Sequence, residues 1–142
     1  MATVNPYLNF SGNCEEAFEF YKSVFGGDFT GLSRFSDAPS DPSSPPADPN
    51  QIMHVALPIG DDQVLMGSDR PASMGSTTPG DNVQITVGAD TTDEARRLFD
   101  GLAEGGQVTM PFERTFWGAD FGMCVDRFGI PWMVNHDVNP DG

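Results

Sequence analysis

Apolar residues recur with a helical period just after the turn at Ser11 and Gly12. Asn13 and Glu16 have the spacing of a capping box, in which the two side chains bond free backbone N–H groups of the first helical turn. The following apolar residues take the i, i+3, i+4, i+7 and i+8 positions of one helical face, at Ala17, Phe20, Tyr21, Val24 and Phe25. Because glycine accepts the left-handed conformation that ends helices, we expect the helix to stop at residues 26–27.

The same plan recurs 78 positions later. Thr91 and Glu94 repeat the capping-box spacing, and a glycine pair again ends the helix, at residues 105–106, one position beyond the offset of 78. The apolar positions behind the second cap are Ala95, Leu98, Phe99 and Leu102. This constant offset indicates an internal repeat of one structural unit.

Short apolar segments bounded by turn residues predict strands around both helices. In the first half they cover residues 4–10, 28–36, 51–59 and 63–66; in the second half they cover residues 82–87, 107–118, 119–126 and 131–137. Residues 37–50 are rich in proline, serine and aspartate, which predicts an exposed, mobile loop, and residues 139–142 should fray. The sequence therefore predicts an α+β fold of paired βαβββ modules, about 1–69 and 80–138, within a single domain spanning 1–142.

Charge narrows the partners that the protein can have. The chain carries 21 acidic and 7 basic residues, a formal net charge of −14, which repels phosphate backbones and anionic lipid headgroups. We therefore expect no nucleic-acid and no membrane partner, whereas a cationic small molecule would be attracted. The beginning of the chain has no basic segment followed by an apolar one, and no apolar run is long enough to span a bilayer, so we expect a soluble, cytoplasmic protein.

Several kinds of chemistry find no support in the motifs. Cys14 and Cys124 are too few for a disulfide framework and too far apart for a zinc knuckle, so we expect reduced, packed thiols. The glycine-rich nucleotide motifs, the zinc-protease motif and the hydrolase nucleophile motif are all missing, and no Rossmann turn is present to hold a methyl donor.

Pairing two modules would bury part of each sheet and shape a concave surface, which is the candidate site. Small-molecule sites are mostly apolar with a few fixed polar groups. The residues of this type on the later strands of each half are His54, Met66, Phe112, Phe116, Trp117, Met123, Trp132 and Met133. The alternative is that these aromatic and methionine side chains are plain core.

His54 is the titratable side chain of most interest. By strand alternation it shares a face with Ile52 and Ala56, where a neutral imidazole could orient a ligand or act as a general base, or could be a structural hydrogen-bonded residue. Four further acid or base candidates are weaker. Asp69 and Asp126 lie at strand ends, where aspartate ordinarily hydrogen-bonds to local backbone, and His136 lies near the solvated chain terminus. Glu113 lies on a strand, where its side chain could face either the cavity or solvent.

Three blocks of the chain resemble one known family. The segments NFSGNCEEAFEFYKSVFGG, IMHVALPIGDDQVLMGSD and FWGADFGMCVDRFGIPWMVN, in this order, are similar to PhnB-like proteins of the glyoxalase/bleomycin resistance/dioxygenase superfamily. The resemblance implies the vicinal oxygen chelate fold with paired βαβββ modules, and it suggests a homodimer. The superfamily includes enzymes and antibiotic-sequestering proteins, so the fold leaves the function open.

The resemblance also implies where a metal would bind. Enzymes of the superfamily usually hold a divalent metal with His or Gln on the first strand and Glu on the last strand of each module. These positions fall here at Pro6 and Met66 in the first module, and at Val83 or Gln84 and Met133 in the second. Only Gln84 offers a suitable donor, because a thioether is a soft ligand, so we expect no metal cofactor.

The sequence thus favours a protein that binds a small organic molecule in a concave, largely apolar pocket without the superfamily metal. The binding candidates are His54, Met66, Phe116, Trp117, Met123 and Trp132. One alternative is a lyase, isomerase or dioxygenase that depends on a metal or uses His54 as a general base. Another is a dimeric scaffold with no pocket. The ligand, the pathway and the pairing of modules within one chain or between two stay open.

Overall fold

The computed structural model of the protein describes residues 2–38 and 47–138, which form two compact units that divide between Thr78 and Pro79. We call them module 1 and module 2. Module 1 contains β1 (Tyr7–Phe10), α1 (Cys14–Phe25), β2 (Gly31–Arg34), β3 (Ile52–Ile59) and β4 (Gln63–Asp69). Module 2 contains β5 (Ile85–Gly88), α2 (Thr92–Ala103), β6 (Gln107–Arg114), β7 (Ala119–Val125) and β8 (Pro131–Asp137).

Each module has the predicted βαβββ order. The sheets have the strand orders β1-β4-β3-β2 and β5-β8-β7-β6. In both, the first strand lies parallel to the last strand, and all other neighbours are antiparallel. The α+β fold class of paired βαβββ modules is therefore confirmed, whereas the grouping of both modules into one domain stays a prediction.

The strands begin and end differently from the predicted ranges. β1 begins after Pro6, whose nitrogen has no hydrogen to donate to a ladder, rather than at residue 4. β2 is short because the chain turns into a 3₁₀ helix at Phe35–Asp37. β4 extends to Asp69, and β5 begins only at Ile85. Most of the predicted mobile loop, residues 39–46, and the predicted frayed tail, residues 139–142, lie outside the described residues.

The helices cover one face of each sheet. α2 buries the four residues that its periodicity predicts, Ala95, Leu98, Phe99 and Leu102. α1 differs: it buries Cys14 and Phe18 along with three of the predicted residues, while Phe20 and Phe25 are only half-buried. The reason is tertiary packing, since Phe18 lies edge-on to Phe10 and Tyr21, at centroid distances of 6.2 and 5.4 Å.

The N-terminus of α1 is capped by a distant residue. Asn13 makes no side-chain capping bond, so the predicted capping box with Glu16 is wrong. The carboxylate of Asp69, at the end of β4, accepts hydrogen bonds from the backbone N–H groups of Gly12 and Cys14, both at 3.0 Å. Its second oxygen accepts from the Ile52 N–H at 2.9 Å. One buried carboxylate thus ties α1, β3 and β4 together.

The cap of α2 is partly as predicted. The Thr91 hydroxyl accepts from the Glu94 N–H at 3.0 Å, while the Glu94 carboxylate accepts from the N–H of Asp90 rather than from that of Thr91. Asp120 of β7 adds a link to the sheet, because its carboxylate accepts from the Thr92 hydroxyl at 2.7 Å and from the Arg114 guanidinium. The hydrogen bond from Arg114, assisted by Thr92, lowers the pKa of the buried Asp120 carboxyl.

This arrangement predicts a pH dependence of stability. A depressed carboxyl pKa stabilises the fold above the ordinary value of 3.8, and this stabilisation disappears as the pH falls through the folded-state value. We expect the free energy of unfolding of the wild type to fall more steeply below pH 3.8 than that of Asp120→Asn, whose amide does not titrate. Urea unfolding at stepwise pH measures both slopes, with the exposed Asp100→Asn as control. Parallel slopes for wild type and Asp120→Asn would contradict the role of Asp120.

Candidate functional site

Each sheet has a face that points away from the helix of its own module. Side chains alternate along a strand, so the residues between the buried, helix-facing positions point to the other side. We call this side the helix-free face. In module 1 it carries Tyr7, His54, Ala56, Met66 and Ser68, and in module 2 it carries Thr86, Phe121, Met123, Met133 and Asn135.

Tyr7 and His54 form a polar pair on the helix-free face of module 1. Their rings stack at a centroid distance of 5.9 Å and an interplanar angle of 29°, and the Tyr7 hydroxyl lies 3.4 Å from His54 Nδ1. Tyr7 also lies opposite Met66 in the parallel β1–β4 ladder. If the tyrosine hydroxyl donates to Nδ1, the neutral imidazole carries its proton on Nε2 and can donate a hydrogen bond to a ligand.

A register shift changes the neighbours of His54. The predicted partner Ala56 does share its face, but Ile52 is buried at 1% exposure and belongs to the core with Val55. The ladder between β2 and β3 shifts between Ser33 and Arg34, where Ser33 lies opposite His54 and Arg34 lies opposite Ile52. Such a bulge resets the alternation of side chains, so the prediction for Ile52 was wrong.

Phe116 and Trp117 form an exposed aromatic tip on the β6–β7 hairpin. Phe116 is 98% exposed and Trp117 is 57% exposed, and their rings meet edge to face at 5.0 Å. Trp117 also lies 6.2 Å from the ring of Phe121, which belongs to the helix-free face of module 2. Aromatic side chains exposed to this degree contribute little to a core, and they offer stacking surface to a ligand.

Backbone bonds fix the position of this tip. Thr115 N–H donates to the Ala119 carbonyl at 2.7 Å, and Gly118 N–H donates to the Thr115 carbonyl at 3.3 Å. Gly118 has φ of +86°, a conformation that favours glycine, and its carbonyl accepts from Val138 N–H at 2.9 Å. The hairpin therefore holds Trp117 beside Phe121 through its main chain.

Trp132 lies apart from the other candidates. It is 1% exposed on the helix side of β8, and its indole N–H donates to the Asp126 carboxylate at 2.8 Å. The same carboxylate accepts from the backbone N–H groups of Phe128 and Ile130, the local type of bond that the sequence predicts for a strand-end aspartate. Trp132 is a core residue of module 2, so the candidate surface does not include it.

Phe112 is a second candidate that the structure places in the core. It is buried against Phe99 at a centroid distance of 5.4 Å, with the Arg96 guanidinium 4.6 Å from the centre of its ring.

Three methionines form a row across the helix-free face of module 2. Met110 of β6 lies opposite Met123 of β7, and Met123 lies opposite Met133 of β8. Gln84, just before β5, directs its amide N–H to the Met123 sulfur at 3.6 Å. Sequence reasoning named Met123 and Met133 but missed Met110, because register shifts on both sides of Met110 decide which residue it opposes.

The other titratable candidates have structural surroundings. Asp69 caps α1, as described above. His136 lies on β8, within the predicted strand 131–137, and its Nδ1 is 3.0 Å from the Ala89 carbonyl oxygen. Glu113 lies opposite Phe121 at an exposed position of β6. None of these three residues is paired with His54 in the strand ladders.

The two cysteines are free and buried, at 0% exposure for Cys14 and 1% for Cys124. Burial, reinforced by the nearby Asp126 charge, raises the pKa of Cys124 to about 11, and burial also raises the pKa of Cys14. Both thiols therefore stay protonated at neutral pH, which makes them poor nucleophiles.

The residues at the expected metal positions do not fit the divalent metal of the superfamily. The Pro6 carbonyl accepts from Met66 N–H at 3.1 Å, and the strand registers place Tyr7 opposite Met66 and Thr86 opposite Met133. Thioethers, a phenol and a hydroxyl are unfavourable donors for such an ion. Across residues 2–38 and 47–138, no three His, Cys, Asp or Glu side chains group in a way that could hold a metal.

The helices of these described residues do not have the length and apolar character that a membrane span requires.

Comparison with known proteins agrees with this architecture. The glyoxalase/bleomycin resistance protein/dioxygenase superfamily matches residues 3–134, so the chain belongs to this superfamily. The resemblance that the sequence predicts is therefore confirmed.

Particular relatives cover nearly the whole chain. The crystal structure of protein PA1353 from Pseudomonas aeruginosa is 42% identical, covers 96% of this chain and 98% of its own, and has a TM-score of 0.85. The PhnB protein from Bacillus cereus shares the fold at a TM-score of 0.76, with 24% identity over 95% of this chain and 99% of its own. Protein YjdN of Escherichia coli is 29% identical over 93% of both chains. The likeness to the Bacillus cereus protein is a likeness of fold.

Proposed function

We propose that this protein binds a small organic molecule on its helix-free sheet faces, without the divalent metal of its superfamily. The observation that carries the proposal is the exposed Trp117, held beside Phe121 at the edge of a face that also presents Met123 and Met133. A surface of aromatic rings and thioethers gains free energy from stacking and dispersion rather than from directional polar bonds.

The chemistry of this surface favours a planar, cationic compound. The net charge of −14 attracts cations, and the faces of Trp and Phe rings bind them through their quadrupoles. On the helix-free face of module 1, considered by itself, the Tyr7–His54 pair offers one directional group to a polar atom of a molecule bound there. We further propose that the surface lines a concave, largely apolar pocket and that the protein acts in the cytoplasm as a homodimer, as its resemblance to PhnB-like proteins suggests.

Titration of chelator-treated protein with N-methylacridinium, a planar aromatic cation, tests this function. We expect saturable quenching of tryptophan emission without added metal, because Trp117 is accessible and Trp132 is buried. In Trp117→Leu, calorimetry should show an affinity lower by about tenfold, since loss of one stacking contact costs on the order of 1 kcal/mol or more. The control is Phe20→Leu, which alters a half-buried aromatic residue on α1.

Two outcomes would contradict the proposal. One is equal affinity for the cation in wild type and Trp117→Leu, which would place binding elsewhere. The other is binding that appears only after a divalent metal is restored, with stoichiometric Ni, Zn, Mn or Fe in protein purified without chelator.

The alternative function is that of a lyase, isomerase or dioxygenase, and the Tyr7–His54 contact is the observation that favours it. In the other tautomer, Nδ1–H donates to the Tyr7 hydroxyl oxygen, and the unprotonated Nε2 could act as a general base toward a bound substrate. Product formation from bound compounds, lost in His54→Gln while binding persists, would support this alternative over simple binding.

A further inference from the structure

The methionine row of module 2 places three thioethers side by side on one sheet face. Residues directly opposite each other in a ladder point to the same side, and neighbouring strands lie about 4.8 Å apart. Met110, Met123 and Met133 occupy three adjacent strands at matched positions, so Met123 lies between the other two. Met110 is 41% exposed, and the other two are half-buried, which leaves the row accessible from the helix-free side of module 2 itself.

The geometry suits a single ion at the centre of the row. Methionine has three rotatable side-chain bonds, so the outer thioethers can bend toward the central one. The Gln84 amide donates to the Met123 sulfur at 3.6 Å. This hydrogen bond uses one lone pair of the sulfur, and the second lone pair stays available for an ion. Three thioethers and no carboxylate make a soft donor set, which selects monovalent copper and disfavours hard divalent ions.

We propose that Met110, Met123 and Met133 form a binding site for a soft monovalent cation, Cu(I). The strongly acidic chain raises the local concentration of cations. The buried thiols do not compete, because Cys14 is 0% exposed and lies on α1, and Cys124 is 1% exposed and points to the opposite face of β7 from Met123. This site does not depend on the proposed binding of an organic molecule.

Silver(I), which shares the softness of Cu(I) and is not oxidised in air, is a suitable probe. In protein labelled with ¹³C at the methionine methyl groups, one equivalent of Ag(I) should shift three methyl signals together. Substitution of each row residue by leucine assigns these signals to Met110, Met123 and Met133. Cu(I) supplied anaerobically as its acetonitrile complex should then shift the same three signals, because it is a soft cation like Ag(I).

The variants separate a coordination site from a merely apolar surface. Met123→Leu should weaken Ag(I) binding by about tenfold or more, and the triple leucine variant should abolish it, because leucine conserves the volume but has no sulfur. The controls are Met74→Leu, at a 60% exposed position of module 1, and Cys124→Ala. Both should bind Ag(I) as the wild type does, and circular dichroism verifies the folding of each variant.

Three results would overturn the site. They are unchanged Ag(I) binding by the folded triple leucine variant, loss of binding in folded Cys124→Ala, and a titration that shifts methionine signals outside the row in preference to those within it. Failure of N-methylacridinium to bind would leave the Ag(I) results unaffected, so the two proposals can fail separately.

Discussion

Replacing Asp69 with alanine should lower the free energy of unfolding by about 4 kcal/mol, because it leaves several backbone donors without an acceptor. The carboxylate accepts from the N–H groups of Cys14 and Ile52, which are buried, and from that of Gly12, which is partly buried. Water can reach the last of these more easily than the first two. The loss therefore combines three charge-assisted bonds with two buried unsatisfied groups.

Urea unfolding monitored by circular dichroism measures this effect. Asp69→Asn should lose less, about 2 kcal/mol, because the amide keeps one acceptor oxygen but turns an N–H group toward a backbone donor. The matched control is Asp48→Ala, since Asp48 also accepts from a backbone N–H, that of Asn50, at an exposed position. A loss in Asp69→Ala no larger than that in Asp48→Ala would refute the capping role.

Gly122→Ala should destabilise module 2 by about 3 kcal/mol, whereas Gly88→Ala in the same sheet should change stability little. A methyl group on Gly122 would lie 2.7 Å from Phe99 Cε1 and 2.9 Å from the Phe112 Cα. The backbone of β6 cannot move away from this contact without disturbing its ladder to β7. A methyl group on Gly88 would meet nothing within 4 Å.

Thermal and urea unfolding of the two variants test this contrast, since both glycines lie in strands of module 2 and neither has a positive φ. Both substitutions make the same change in the unfolded chain, so their difference reports the close approach of Phe99 and β6. Equal stability of the two variants would show that the core of module 2 relaxes around the new methyl group.

The repeat and the helix of module 2 could be predicted because their information is local. The apolar face of α2 follows from spacing within twelve residues, and all four predicted residues are buried. The βαβββ order follows from turn residues that separate apolar segments. Where a prediction from the sequence was wrong, the interaction that determines the structure joins residues that are far apart in the chain.

Asp69 illustrates this limit at the first helix. Asn13 and Glu16 have the local pattern of a capping box, but the acceptor for the N-terminus of α1 comes from the end of β4, 55 residues after Cys14. Local spacing cannot reveal that β4 delivers a carboxylate to this point. The burial of Phe18 in place of Phe20 has the same origin, since the packing of α1 on its sheet selects the buried face.

The residues of the candidate site were harder to predict, because the register between neighbouring strands decides which side chains share a face. The bulge between Ser33 and Arg34 moved Ile52 into the core, and two register shifts placed Met110 beside Met123. Tyr7 was not predicted as a site residue because the family resemblance places the first-strand metal position at Pro6. From the sequence, Trp132 was assigned to the ligand surface, whereas the residue lies in the core. Its indole N–H donates to Asp126, and this hydrogen bond allows the whole side chain to be buried.

The helix sits on one side of each sheet, and this separation has an evolutionary consequence. The residues that maintain the architecture, such as Asp69 and Gly122, belong to the helix side, while Tyr7, Met66 and Met123 belong to the other. Substitutions on the second side leave the hydrogen bonds of Asp69 and the close packing at Gly122 in place. Descendants of one ancestral module can therefore diversify in what they recognise while inheriting the same scaffold.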